Sequence, residues 1–415
     1  MDQSKPASAH GPLAGVRVLD LSRILAGPWS GQIFADLGAE VIKVERPGRG
    51  DDTRGWGPPF LKDKAGTETG EAAYFLSTNR GKKSITLDIA KPEGQRIARE
   101  LAAVADVLLE NYKVGDLARY GLNYDALSAV NARLVYCSIT GFGQDGPFRD
   151  RAGYDFMIQG MGGLMSITGE RDAKPGGGPQ KVGVAIADIM TGMYATVAVL
   201  SALHEREKSG LGQYIDMALL DTQVAWLANQ NMNYLIGGKS PVRMGNAHPN
   251  VVPYQTFHTR DGDMILAVGN DNQFRKFCEA AEIPDLPRDP RFATNTARIG
   301  NRDACEAAIA PAIKRRTTAE WIKLLEPLGV PCGPISRLDE VFDNPQVKHR
   351  GLKIDVPHAL SGTVPQVANP IKFSRTPIAY DTPPPLLGQH TDEVLRGLLG
   401  KSDADIAELR ANEVI

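Results

Sequence analysis

The stretch that decides the predicted fold is Val16–Glu45, VRVLDLSRILAGPWSGQIFADLGAEVIKVE. The apolar run at its start predicts a short buried strand, and AEVIKVE at its end predicts a second strand. Between them, a helix is expected to start near Pro28 and to end at Gly38. A strand, a helix and a strand within about 30 residues are typical of a parallel sheet with right-handed crossovers.

The same alternation continues along the chain. Strands are predicted from Lys83 (KSITLDI), at DVLLEN and at LVYCSITGFG, and a helix is predicted over Pro92–Val104. A longer helical pattern covers Ile189–Lys208, and a strand running into another helix follows it. We therefore predict an α/β, Rossmann-like large domain. The loop after its first strand lacks G-x-G-x-x-G, so an NAD-dependent dehydrogenase is not expected.

A change in composition predicts a second domain. Residues 237–253 are rich in Gly, Asn, Pro and His, which is typical of a loop or linker, and strands and then helices are predicted from Tyr254. The chain from Val330 is rich in proline and loops. The predicted parts are a flexible leader without a secretory signal pattern at 1–12, the large domain at 13–225, and a linker with a smaller α+β domain at 226–329.

Composition narrows the function classes. Over 415 residues the formal net charge is −2, so no bulk field points to nucleic acid or to a membrane surface. No run of about 18 apolar residues occurs, and no membrane span is expected. Four cysteines stand far apart without zinc-site or disulfide-framework spacing, so we expect reduced thiols in a cytoplasmic compartment. The histidines show no metal-ligand spacing, and no G-x-S-x-G nucleophile elbow occurs.

Asp188 is the acid with the most chemical interest, in VAIADIMTGMYA. One interpretation is a helix N-cap, because aspartate commonly accepts the free N–H groups of a first helical turn. The other is a nucleophile, because a carboxylate can attack a carbonyl and carry a covalent intermediate. Gly192, one turn later, is costly inside a helix, which points to a packing or site reason.

Basic residues follow or precede several predicted strands. Arginine and lysine at the strand ends of an open α/β sheet suit phosphate groups, while solvated surface charge is the alternative for any single one of them. The residues considered are Arg46, Arg80, Lys82, Lys83, Arg119, Arg149 and Arg151.

Taken together, the motifs resemble the class III CoA-transferase family, with relatives that include formyl-CoA:oxalate and carnitine CoA-transferases. The similarity spans nearly the whole chain and is greatest to the succinate–hydroxymethylglutarate (glutarate) branch. The segments that carry it include VLDLSRILAGPWSGQIFADLGAEVIKVERPGRGDDTR, NRGKKSITLDI, ADVLLENYKVGDLARYGL, CSITGFGQDGP, GYDFMIQGMGGLMSITGE, VGVAIADIMTGMYA and PPPLLGQHTDEVL.

This resemblance implies the chemistry and the site. The family nucleophile falls on Asp188, which would form an aspartyl anhydride and then an aspartyl-CoA thioester, with acyl-CoA as substrate and no tightly bound cofactor or metal. The acceptor would be a dicarboxylic acid and the donor succinyl-CoA. The implied CoA contacts and neighbours of the nucleophile are Leu25, Ala26, Arg46, Leu87, Asn111, Arg119, Arg151, Tyr154, Asp155 and Leu219.

The resemblance also implies an interlocked homodimer, in which residues 330–415 return to the large domain. Some positions depart from the oxalate-type pattern. Leu25 replaces a glutamine, and GNAHPN replaces a glycine-rich loop. Ala152 stands in the place of a lysine, whose role the adjacent Arg151 would take over. These departures argue against oxalate or formate and favour a longer dicarboxylate. Itaconate, mesaconate, malate, oxalate and carnitine remain alternative acids.

Two other functions are compatible with the superfamily. An α-methylacyl-CoA racemase would need a base, and the place of its histidine is taken by Tyr154 in the order Gly153, Tyr154, Asp155. Tyrosine has a reference pKa of about 10 and is a poor base at neutral pH. A CoA-binding scaffold without catalysis is the third hypothesis, and the presence of Asp188 argues against it.

Overall fold

The structure is a computed structural model that describes residues 10–415. Residues 1–9, most of the predicted leader, lie outside the described residues. The chain divides into two compact units, each built from separate segments. Unit 1 contains the described residues up to Gly163 together with Gly183–Asn231 and Pro345–Ile415, and unit 2 contains Leu164–Val182 and Met232–Asn344.

Thirteen strands occur in the described residues. They are β1 Arg17–Asp20, β2 Glu40–Glu45, β3 Phe60–Lys62, β4 Glu68–Ala72, β5 Lys82–Thr86, β6 Val107–Glu110, β7 Val135–Thr140, β8 Tyr214–Ala218, β9 Tyr254–His258, β10 Asp263–Ala267, β11 Cys332–Pro334, β12 Lys353–His358 and β13 Gly362–Val367.

Seventeen α-helices occur in the same residues. They are α1 Ala26–Asp36, α2 Ala73–Leu76, α3 Pro92–Ala103, α4 Tyr124–Ser128, α5 Asp155–Met161, α6 Leu164–Ile167, α7 Ile186–Ser209, α8 Leu219–Ala225, α9 Asn229–Gly237, α10 Asp271–Ala280, α11 Asn295–Gly300, α12 Arg302–Ile313, α13 Thr318–Leu325, α14 Leu338–Asp343, α15 Pro345–His349, α16 Thr391–Leu399 and α17 Asp403–Ala411.

Unit 1 is built on a six-stranded parallel sheet in the order β5-β2-β1-β6-β7-β8. Counted along the chain, this order is 3-2-1-4-5-6, the doubly wound arrangement. The strands β2, β6 and β7 are buried along almost their whole length, as expected for a parallel sheet covered on both faces. The predicted α/β fold with a parallel sheet is confirmed.

Alternating residues of β1 face the two covered sides of the sheet. Val18 lies in one apolar cluster with Val199 of α7, and Leu19 lies in the other with Ile97 of α3 and Val394 of α16. The alternation follows from the two-residue period of a strand. Helices α3 and α16 therefore cover one face, whereas α1 and α7 cover the other and bring their first turns to the carboxyl edge of the sheet.

Unit 2 contains the antiparallel sheet β11-β10-β9 and has a core of its own. Alternate residues of β10, Met264 and Leu266, are buried in that core with the aromatic side chains of α10 and with Trp321 of α13. This is the smaller α+β part of the predicted fold. The pairs β3–β4 and β12–β13 form two additional antiparallel hairpins in unit 1.

Helix α7 connects the fold to the chemistry of unit 1. Among residues 10–415, it is the one helix long and apolar enough to cross a membrane by length and composition alone. In unit 1 it packs along α1, β7 and α8. Of the residues in its most apolar 18-residue stretch, 44% are buried. Its apolar residues thus contribute to the core, except for an exposed face that carries Met193, Tyr194 and Val197.

Candidate active site

The order of the sheet strands reverses between β1 and β6. In open α/β sheets, ligands bind beyond the carboxyl ends of the strands at such a switch point. The loop from β1 to α1 and the residue after β6 meet there. The Asn111 side chain accepts a hydrogen bond from the Arg23 N–H at 2.9 Å and donates one to the Arg23 carbonyl at 2.7 Å. Asn111 therefore holds the β1–α1 loop across the switch point.

The β1–α1 loop contains a backbone conformation that its sequence does not favour. Ile24 has φ of +72°, in the left-handed region that β-branched residues rarely adopt. Its N–H points to the buried Asp51 carboxylate, with both N···O distances 3.3 Å. Such strained residues persist where the surroundings hold them, and they cluster at functional sites.

The loop ends at the open N-terminus of α1. Within the described residues, the N–H groups of Ala26 and Gly27 have no acceptor, and Pro28 has no N–H. The N-cap residue Leu25 provides no side-chain acceptor. Free N–H groups at the positive end of a helix dipole stabilise negative charge, so this end of α1 is suited to an oxyanion.

Asp188 is the third residue of α7, and it is not the helix cap. The N-cap residue is Ala185, without a side-chain hydrogen bond, and the capping acceptor comes from another helix. The Asp155 carboxylate of α5 accepts from the Ala187 N–H at 2.7 Å and from the Asp188 N–H at 3.4 Å. The N-cap interpretation of Asp188 was wrong because Asp155 already satisfies these N–H groups.

The Asp188 carboxylate has no hydrogen-bond donor within residues 10–415. It is partly exposed. Burial, together with the negative charge of Asp155, raises the pKa of Asp188 to about 7. The two carboxylates also act on Tyr74: burial and the charges of Asp188 and Asp155 raise the pKa of Tyr74 to about 12. Trp56 packs edge-on against Tyr74, with ring centroids 5.1 Å apart.

Gly192 brings α7 against the first turn of α1. A Cβ at Gly192 would lie 2.5 Å from the Ala26 carbonyl oxygen and 3.2 Å from the Trp29 Cβ. The two helices are also joined by the hydroxyls of Ser30 and Thr196, 2.9 Å apart. Residues four apart share a helix face, so Asp188 lies on the face of α7 that meets α1. The close packing predicted from Gly192 is present.

A pocket of about 300 Å³ opens at the carboxyl ends of β2 and β5. Its residues come from the last three positions of β2 and from the segments that follow β1, β2, β5 and β6. The lining residues are Arg23, Lys43, Val44, Glu45, Arg46, Gly50, Asp51, Leu87, Asp88, Ile89, Ala90, Tyr112 and Tyr120. The pocket thus combines basic side chains with aromatic rings beside the switch point.

Comparison with known proteins gives the family. Residues 13–391 match CoA-transferase family III. The chain belongs to this family. It is 52% identical over 388 residues to a succinate–glutarate CoA-transferase of Agrobacterium fabrum, covering 93% of this chain and 96% of that protein. It is 44% identical to a Homo sapiens succinyl-CoA:glutarate CoA-transferase, with coverages of 97% and 90%.

A solved structure agrees in fold and in length. A CaiB/BaiF family protein from Brucella suis shares 51% identity and superposes with a TM-score of 0.83. The alignment covers 94% of this chain and 100% of that one. The protein is therefore a class III CoA-transferase with the fold of that family.

In this CoA-transferase, two predicted CoA contacts, Arg46 and Leu87, lie together in the pocket. Arg119 lies at its margin, exposed, with its guanidinium 5.0 Å from the ring of Tyr120 and an ion pair to Asp116. Sequence reasoning did not single out Tyr120 or the other aromatic residue, Tyr112. Tyr112 follows the end of β6 by two residues and Tyr120 by ten, and an aromatic residue at such a distance from a strand is too common to be diagnostic.

Three other predicted contacts have buried side chains, and two are exposed. Leu25, Ala26 and Leu219 are all less than a tenth exposed, so they would reach a ligand through backbone atoms. Arg151 stacks on Phe148, with its guanidinium 4.8 Å from the ring centroid. Tyr154, at the N-cap of α5, is exposed.

Two basic residues at the strand ends are neither surface charges nor free phosphate ligands. Arg80 is buried and forms an ion pair with Asp36 at 2.8 Å, and Lys82 is fully buried with Asp20 at 2.9 Å. Both alternatives considered from the sequence were wrong for this pair, because acidic partners distant in the chain neutralise them. Lys83 is half-buried and forms salt bridges with two glutamates.

Proposed function

We propose that this enzyme transfers CoA from succinyl-CoA to glutarate or a similar dicarboxylic acid, with Asp188 as nucleophile. The observation that carries the proposal is the Asp188 carboxylate, which has no donor in the described residues and lies on the helix face that meets the open N-terminus of α1. The substrates are suggested by the names of the 52% and 44% identical relatives.

In the first half-reaction, Asp188 attacks the succinyl-CoA carbonyl. The C–S bond breaks, giving a mixed aspartyl–succinyl anhydride and the CoA thiolate. The thiolate then attacks the aspartyl carbonyl, so that an aspartyl-CoA thioester forms and succinate leaves with the bridging oxygen. Splitting the exchange in this way replaces one difficult step with two easier ones.

In the second half-reaction, a carboxylate oxygen of the acceptor attacks the aspartyl-CoA carbonyl. The thiolate leaves, and a second mixed anhydride forms between Asp188 and the acceptor acid. The thiolate then attacks the acceptor's carbonyl, which produces the new acyl-CoA and restores the Asp188 carboxylate. The thioester's energy is conserved, because one thioester is consumed for each one formed.

Each of these attacks creates a tetrahedral oxyanion. The N–H groups of Ala26 and Gly27 are suited to receive it, because they have no acceptor in the described residues and belong to the positive end of α1. They lie on the element that Gly192 brings close to α7. Removing one such donor typically costs about 100-fold or more in kcat.

The pocket beyond β2 and β5 is suited to the nucleotide part of CoA. Arg23 and Arg46 supply guanidinium groups for phosphate, and Tyr112 and Tyr120 supply rings on which a base can stack. Lys43 also lines the pocket but is buried in an ion pair with Asp51, so its charge is already used. Arg23 also pairs with Asp52, at 3.1 Å, but unlike Lys43 it is partly exposed, and Arg46 is exposed. We therefore assign phosphate recognition to these two arginines.

The acid acceptor would occupy the space beside Asp188. Trp56 and Tyr74 form an aromatic wall there, and Tyr74 lies within reach of the Asp188 charge. An aromatic wall fits the methylene chain of a diacid, whereas a two-carbon diacid has none to pack. We therefore favour glutarate or hydroxymethylglutarate over oxalate.

The experiment is a product screen. The enzyme is incubated with succinyl-CoA and glutarate, hydroxymethylglutarate, itaconate, mesaconate, malate, oxalate or carnitine, and new acyl-CoA masses are measured. We expect glutaryl-CoA with the wild type and no product with Asp188→Ala, while CoA affinity stays within about tenfold because only the covalent step is removed. Retained turnover in Asp188→Ala would refute the nucleophile. If no acid gives a new acyl-CoA, and the enzyme instead exchanges the α-proton of a branched acyl-CoA, the racemase would be favoured.

We also propose that the enzyme is a homodimer. Helices α5, α7 and α8 pack against one another, and each exposes large apolar side chains. The exposed residues are Phe156 and Met161 on α5, Met193, Tyr194 and Val197 on α7, and Val224 on α8. Apolar surface concentrated on adjoining helices is typical of a protein–protein interface, and a second copy of the chain is the partner that the family resemblance suggests.

A further inference from the structure

Four charged side chains lie beneath the β1–α1 loop, and we name them the lysine clamp: Asp20, Lys43, Asp51 and Lys82. Lys43 and Lys82 are fully buried, and their ammonium groups pair with Asp51 at 2.8 Å and with Asp20 at 2.9 Å. Burying charges costs free energy that pairing recovers only in part, and apolar replacements are often as stable. Stability alone therefore does not account for the clamp.

Lys82 joins three separate segments. Its ammonium donates to the Asp20 carboxylate at the end of β1, to the Pro28 carbonyl in the first turn of α1 and to the Asn79 side chain, each at 2.9 Å. An ammonium group has three protons, so all of them are used. Gly31 allows α1 to lie this close, because a Cβ there would be 2.7 Å from Asp20.

Lys43 holds the other end of the same loop. Its ammonium donates to the Ser22 carbonyl at 2.9 Å and to Asp51 at 2.8 Å. Asp51 in turn receives the N–H of Ile24, the residue in the left-handed conformation. Although burial opposes it, the charge of Lys43 lowers the pKa of Asp51 to about 2. The loop is thus fixed at Ser22, at Ile24 and, through Lys82, at Pro28.

We propose that Lys82 is a positioning residue for CoA transfer. By holding the Pro28 carbonyl against the end of β1, it fixes the first turn of α1, and with it the N–H groups of Ala26 and Gly27, beside α7. This inference rests on the proposed function, because it assigns those N–H groups to the oxyanion. An apolar side chain of similar length fills the space of Lys82 but leaves the first turn of α1 without its anchor.

The test compares two buried cations that contact opposite ends of α1. Lys82→Met removes the anchor at the first turn, and the control Arg80→Met removes the ion pair with Asp36, the last residue of α1. For Lys82→Met we expect kcat to fall about 100-fold with KM for succinyl-CoA within about threefold, because the oxyanion forms only after attack. For Arg80→Met we expect lower thermal stability and kcat within about twofold of the wild type.

A kcat for Lys82→Met within about threefold of the wild type would overturn the inference, as would equal losses of kcat in both variants. If Lys82→Met does not fold, the double variant Asp20→Asn/Lys82→Met is measured instead, because it leaves no unpaired carboxylate at this position. The expected loss of kcat is the same. Failure of the proposed function is distinguishable, because the wild type itself would then form no acyl-CoA product with any acid.

Discussion

At the scale of the residue, the raised pKa of Asp188 connects its chemistry to pH. Only the carboxylate can attack a thioester, and burial next to Asp155 raises the pKa of this group to about 7. We expect kcat/KM to fall tenfold for each pH unit below about 7. The measurement is the initial rate of CoA transfer between pH 5 and pH 9.

Asp155→Asn separates the two causes of that pKa. An asparagine oxygen can still accept the Ala187 N–H, so the cap of α7 is kept while the negative charge is removed. We expect the acid limb of the rate profile to move to lower pH. An acid limb that stays in place, in a variant that folds normally, would show that Asp155 does not set the pKa of Asp188.

The same carboxylate should reduce stability. The fold raises the Asp188 pKa above its value in the unfolded chain. Above about pH 7 the group is ionised in both states, and its burial lowers the free energy of unfolding. Below about pH 4 both states bind the proton, so this loss of stability disappears. We expect Asp188→Asn to raise the Tm by about 2 °C or more at pH 8 and to leave it unchanged at pH 4. A lower Tm for Asp188→Asn than for the wild type at pH 8 would contradict the claim that the ionised Asp188 destabilises the native state.

Residue-scale chemistry was only partly predictable from the sequence. Asp188 could be singled out because it is the one acid near the start of a long apolar helix, although that helix begins at Ile186, three residues before its predicted start. The cap of α7 could not be foreseen, because the carboxylate that accepts the Ala187 N–H is Asp155 of α5, 32 residues earlier in the chain. The buried positions of Lys43 and Lys82 were also hidden, since a lysine near a strand end looks like a surface residue until its distant acidic partner is located.

At the scale of the element, the site depends on how closely α1 and α7 pack. Gly192→Ala places a Cβ 2.5 Å from the Ala26 carbonyl oxygen, so the helices must move apart. We expect kcat to fall at least tenfold, because a shift of about 1 Å between reacting groups can cost about 100-fold in rate. Transfer kinetics and thermal unfolding check this expectation.

Gly397→Ala is the matched control. Gly397 also lies inside a helix, α16, but a Cβ there meets nothing within 4 Å. Alanine is favoured over glycine in a helix by about 1 kcal/mol, so this variant should be more stable and equally active. Similar kinetics in the two variants would mean that contact between α1 and α7 does not govern the rate.

Element types were the most predictable part of the fold. Apolar runs such as VRVLDL and the helical period around Phe34 follow directly from burial, and the observed α1 begins within two residues of its expected start at Pro28. The hairpins β3–β4 and β12–β13 were not predicted. The first is short and only partly buried. The second alternates buried and exposed residues, but it carries Pro357 and Pro365, and proline is unusual within strands.

At the scale of the whole molecule, the exposed apolar residues of α5, α7 and α8 predict self-association. We expect sedimentation equilibrium to give twice the mass of one chain. Val197→Glu, which places a charge on this surface, should shift the mass toward that of one chain. Val130→Glu is the control, because Val130 is 55% exposed and Val197 is 58% exposed, but Val130 lies outside those helices. A wild-type mass of one chain would refute the dimer.

The most direct test of Asp188 as nucleophile follows one oxygen atom. The proposed steps pass a carboxylate oxygen of the acceptor through the second anhydride into Asp188, and from there into succinate at the next turnover. The enzyme is incubated with succinyl-CoA and ¹⁸O-labelled glutarate, and both the peptide containing Asp188 and the released succinate are analysed by mass spectrometry. We predict ¹⁸O in both. Glutaryl-CoA formed without label in Asp188 would contradict the account.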